Sequence, residues 1–182
     1  FCLDLMDCPE LVMPAAQRAA EVNVECFNRC YATLAHAGST TWIPAYHAGP
    51  AYVPSVDFWC MVSRGVAREW IVPTLIAELR PLERSIFHLD GVTALRHLDL
   101  VLDLPGLNAV QWVYGAGQAP ARRRIDTYKR ILAAGKSIQV IAEDAADALA
   151  VLHAVGHRGV YVSVGEPFNS VEEANSFLRD IE

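Results

Sequence analysis

"SIFHLDGVTALRHLDLVLDLPGLNAVQWVYGAG", residues 85–117, holds two short apolar runs on either side of a helical pattern. "SIFHL" and "NAVQWV" are rich in β-branched and aromatic residues, which predicts strands. The intervening segment, 92–104, has apolar residues at helical spacing and stops at Gly106. Strand, helix and strand within about thirty residues make a parallel βαβ unit.

The unit recurs downstream. "SIQVIA" and "GVYVSV" predict two more strands, and helices are expected over 123–134, 144–155 and 170–181. Asp144 and Ser170 stand at N-cap positions, Ser170 with Glu173 three residues on as in a capping box, while Gly135 and Gly156 stand where helices stop. Upstream, residues 9–36 have helical spacing and end at Gly38. "TTWIPAY" (40–46) reads as a further strand followed by a long Gly- and Pro-containing loop. Ser63 then caps a helix through "RGVAREWIVPTLIAELRPL", which Pro73 is expected to kink.

Near-continuous apolar strands alternating with helices predict an α/β fold with a parallel sheet. An open doubly wound sheet and a (β/α)8 barrel both satisfy the pattern. "GAGQAP" lacks the G-x-G-x-x-G spacing of a dinucleotide fold. The expectation is therefore a partial (β/α)8 TIM barrel of about five C-terminal βα units, with residues 1–182 as a single domain. A full barrel takes roughly 250 residues, and the chain opens on Phe1 in "FCLDLMDCPE", so three further units are expected ahead of it.

Composition narrows the function. The 182 residues are 53% hydrophobic, enough for a packed core. A net charge of −6 with only 20% charged residues gives no basic field for a phosphate backbone, which argues against nucleic acid as a partner. Mean hydropathy is +0.21, yet charged residues or histidine interrupt every apolar run before the roughly 20 residues that span a bilayer, so no membrane is expected. The cysteines, Cys2, Cys8, Cys26, Cys30 and Cys60, are odd in number and confined to the first third, which fits a reducing, cytoplasmic setting. Cys26 and Cys30 share a helix face; buried packing is the ordinary role of such thiols, and metal binding the alternative.

In parallel α/β folds functional groups gather at the carboxyl ends of the strands. Those positions carry His88 and Asp90, then Gln111, Trp112 and Tyr114, then Gln139 and Glu143, then Ser163 and Glu166. His88 and Asp90 are two apart and point to one side of a strand, where an imidazole base and an orienting carboxylate can share a proton or a metal; the alternative is Asp90 capping the next helix. Asp57 is read with them as catalytic. Tyr46, Gln111, Trp112, Tyr114, Gln139 and Glu166 are expected to bind a small-molecule substrate, the two aromatics flooring a pocket. Packing would account for those aromatics equally well. The arginines at 122–124 suit carboxylate or phosphate but fit a solvated helix start better. Homodimerisation is a further expectation, because an unclosed sheet exposes an edge.

"STTWIPAYHAGPAYVPSVDFWCMVSRGVAREWIVPTLIAEL" (39–79), residues 85–118 and "AAGKSIQV" (133–140) together resemble the uroporphyrinogen decarboxylase superfamily, which includes cobalamin-dependent methyltransferases. The resemblance covers most of the chain and corresponds to that family's C-terminal half. It implies a (β/α)8 barrel enzyme and methyl transfer with a corrinoid partner protein. In the zinc-bearing methyltransferases a His-x-Cys-Gly element supplies two ligands and a later cysteine a third. The matching segment here is "HLDG", residues 88–91, with Asp90 at the cysteine position and no cysteine after Cys60. Zinc at His88 and Asp90 would thus depend on nitrogen and oxygen donors. Two other readings stand beside methyl transfer: decarboxylation of a tetrapyrrole-type substrate, whose binding residues cannot be placed on this chain, and a catalytically degenerate small-molecule-binding barrel.

Overall fold

The computed structural model describes residues 2–181 and is mixed α/β. The chain divides into two compact units, one up to Asn108 and one from Ala109.

The first unit begins with α1 (Asp4–Asp7) and the long α2 (Pro9–Leu34), the helix that the spacing over 9–36 predicts, which a 3-10 turn (Ala35–Ala37) closes. The expected strand over 40–46 does not form. Instead β1 (Ser39–Thr40) and β2 (Tyr46–His47) pair antiparallel, Ser39 opposite His47. Pro44 offers no N–H to a ladder, and the chain reverses between the two strands through a tight contact from Ala45 N–H to the Ile43 carbonyl, 2.6 Å.

The parallel strand of this region arises from the segment read as loop. β3 (Ala51–Tyr52) lies beside β4 (Arg84–Asp90) with Ala51 opposite Arg84, and a bridge joins Ser55 to His88. Pro50 and Pro54 contribute carbonyls only, Pro54 accepting from the His88 N–H at 2.9 Å. Ser63 caps α3 (Arg64–Val66) as expected. A π-turn at Ala67–Ile71 then widens the helix ahead of α4 (Val72–Leu79). That widening accommodates Pro73, whose ring would clash with the preceding turn of a regular helix. After β4 a 3-10 turn (Thr93–His97) runs into α5 (Leu98–Leu102).

One face of β4 is core and the other is open. Ser85, Phe87 and Leu89 are buried; Ile86 and His88 are half-buried, and Asp90 is exposed. Trp59 packs on Phe87 and on the fully buried His97. Burial first, then the charge of Arg96, holds the His97 imidazole below its ordinary value.

The second unit repeats strand and helix: β5 (Ala109–Val113), α6 (Ile125–Ala133), β6 (Ser137–Ala142), α7 (Ala145–Val155), β7 (Val160–Val164), α8 (Val171–Asp180). β5 pairs parallel with β6, and β6 with β7, so spatial order follows chain order without reversal. Parallel crossovers are right-handed, which puts α6 and α7 on one face; Trp112 of β5 meets Tyr128 of α6 there. The caps are those the sequence indicates. Asp144 accepts from Asp147 N–H and Ser170 from Glu173 N–H, although the Glu173 carboxylate reaches Asn169 N–H rather than its own cap residue. Gly135 and Gly156 end their helices at φ of 75° and 82°.

Candidate functional site

Within the first unit, β4 delivers His88 and Asp90 to one open face, as their spacing requires. Trp42, from the turn between β1 and β2, lies against the His88 ring with centroids 4.9 Å apart and planes at 82°. Asp90 is exposed, and the 3-10 turn beyond it starts without a side-chain cap, so the capping alternative is not realised. Asp57, also exposed, opens the 3-10 turn Asp57–Met61. It follows two residues after Ser55, the bridge partner of His88. Tyr46 is 70% exposed and its ring lies over Gly38. Its neighbour His47 meets Glu83 at 3.2 Å.

Cys26 and Cys30 are free thiols that line a cavity of about 240 Å³ with Phe27, Tyr52 and Glu78. Burial pushes the Glu78 carboxyl up, against a hydrogen bond from Asn23 that lowers it.

Within the second unit a polar row crosses three strands. Gln111 Nε2 donates to Gln139 Oε1 at 2.6 Å, and Gln139 Nε2 donates to Ser163 Oγ at 3.0 Å and to the Val140 carbonyl at 3.2 Å. Gln111 and Gln139 are directly opposite in register, which brings the amides together.

Trp112 points the other way. It is fully enclosed, with Tyr114 and Tyr128 ring centroids 6.2 and 6.4 Å away and the Arg124 guanidinium over its face at 5.4 Å. It offers no surface to a ligand, so of the two sequence alternatives the structure realises packing. Tyr114 donates its hydroxyl to the Ile141 carbonyl at 3.0 Å; burial, then the carboxylates of Asp147 and Glu143, raise its ionisation above the usual phenol value. Glu166 is exposed beyond β7 and its N–H bonds the Glu143 carbonyl.

The sequence reading missed Asp147. Its carboxylate is completely buried and accepts from the backbone N–H of Ala121, Arg122 and Glu143 at 3.1, 2.7 and 3.0 Å, with the Arg122 guanidinium 3.3 Å away. Asp147 therefore ties the loop after β5 to the loop after β6. Arg122 and Arg124, read as solvated, are engaged by Asp147 and Trp112. The only local signal was a second acid, three residues after the Asp144 cap, in the first turn of α7.

Zinc takes three or four protein ligands. His88 and Asp90 supply two, and among the described residues no three His, Cys, Asp or Glu side chains are grouped to hold a metal. No helix among the described residues is long and apolar enough to cross a membrane. Compared with family models, curated proteins and solved structures, the chain matches none.

Proposed function

We propose that the chain is part of a (β/α)8 barrel enzyme resembling the uroporphyrinogen decarboxylase superfamily, which binds a small molecule over its strand ends and takes part in methyl transfer with a corrinoid protein. The observation that carries this reading is the two-faced character of β5, β6 and β7. α6 and α7 lie on one face, strand order follows the chain, and the opposite face holds the row Gln111, Gln139 and Ser163, in which the two glutamine amides are buried and bonded to each other. A doubly wound sheet reverses its strand order and covers both faces with apolar helix contacts. A barrel winds one way, and near its carboxyl end its inner face carries polar site residues.

On this reading His88 is the proton-handling group, with Asp90 on the same strand face orienting the substrate. The methyl group itself is carried by the corrinoid of the partner. The test incubates the protein with free methylcobalamin and a thiol acceptor and follows methylcobalamin absorbance. Loss faster than in protein-free buffer, reduced at least about tenfold in His88→Ala as expected for a lost acid-base group, supports methyl transfer. A rate equal to buffer contradicts it and favours the second reading, a non-catalytic small-molecule binder, for which the Asp90 substitution at the cysteine position speaks.

A further inference from the structure

We infer that Trp42, His88 and Asp90 form a recognition site for a small organic cation of the methylated-ammonium type. The inference rests on the proposed reading only in taking the β4 end as the ligand end, and it adds the ligand's chemical class.

Trp42 is 60% exposed, so most of its ring is open to contact. Its position is built by the surrounding turn. Thr41 Oγ1 accepts from Ile43 N–H at 3.2 Å and lies 3.1 Å from the Ile43 carbonyl, and Ile43 is 2% exposed, an anchor that pins the turn to the first unit. With its neighbour pinned inward, the indole is directed outward over the open face of β4, against His88. Asp90 lies two residues further on that face, and exposed Asp57 follows the adjoining strand segment.

The charges decide the class of ligand. Two carboxylates and an indole face are present, and the nearby arginines are committed elsewhere. Arg64 bonds the Arg96 carbonyl and pairs with Asp99 at 3.5 Å; Arg96 bonds the Cys60 carbonyl and the His97 ring. An anionic ligand would meet repulsion from the carboxylates. A quaternary or tertiary ammonium satisfies both features, its methyl groups against the indole and its charge balanced by Asp90, because an aromatic face attracts a cation through its quadrupole.

The experiment is calorimetric titration of the full chain with choline and with its uncharged isostere 3,3-dimethylbutan-1-ol. Choline is expected to bind and the isostere to bind at least about fivefold more weakly. Trp42→Ala should weaken choline about tenfold, Trp42→Phe less, and Asp90→Asn about threefold, within the range cation–π and exposed charge contacts give. Equal affinity for the isostere, no choline binding, or choline binding unchanged in Trp42→Ala each overturns the inference. Circular dichroism of each variant checks that the fold is kept. Choline binding without methyl transfer would sink the proposed function and leave this site standing; methyl transfer without choline binding would do the reverse.

Discussion

The two units use the same residue types for opposite purposes. In the first, Trp42 is exposed against His88 and Asp90 is exposed at the end of β4; in the second, Trp112 and Asp147 are fully buried, the ring under Arg124 and the carboxylate on three backbone N–H groups. A buried group whose partners are all internal shapes the loops. An exposed one whose shape is held by its neighbours is available to a ligand. Residue type alone does not separate the two roles.

The largest effect that sharpens this contrast is on stability. Trp112→Ala removes a fully packed indole and should cost about 3–5 kcal/mol in urea unfolding, whereas Trp42→Ala should cost under about 0.5 kcal/mol. Comparable losses would erase the distinction. Asp147→Ala comes next, because it leaves buried N–H donors unmet; about 2–4 kcal/mol is expected, with Asp147→Asn intermediate. Asp90→Asn in the same assay should change little, as surface substitutions do.

The smallest effect is on pH dependence. The unfolded chain protonates His97 near the ordinary value of 6.5, while the buried native imidazole resists the proton. Stability should therefore fall as pH drops through that value, until the lower native value is passed and the loss levels off. His97→Gln should flatten the slope between about pH 7.5 and about pH 5.5. An unchanged slope would show that His97 does not set it.

What was legible in the sequence was local. Asp144, Ser170, Gly135 and Gly156 mark helix ends because a cap acts on backbone a few residues away, and α7 and α8 begin and end as those residues require. The strand over 40–46 failed since its apolar residues serve a turn, with Ile43 inward and Trp42 outward. "AY" at 51–52 became the strand because β4 was there to pair with it, a long-range partner that no local pattern announces. For the site, the strand alternation carries one more signal. Gln111 and Trp112 are adjacent on a strand and must face opposite sides, so they could not both line one pocket. Asp147 was invisible for another reason: its partners are the backbones of residues 121, 122 and 143.

The most direct measurement is a two-dimensional NMR titration that follows the indole N–H signals of the four tryptophans as choline is added, with sodium chloride as the ionic control. The Trp42 signal should move saturably while Trp112 stays in place. Movement of Trp112 with Trp42 unmoved, or no difference from the salt control, would contradict it.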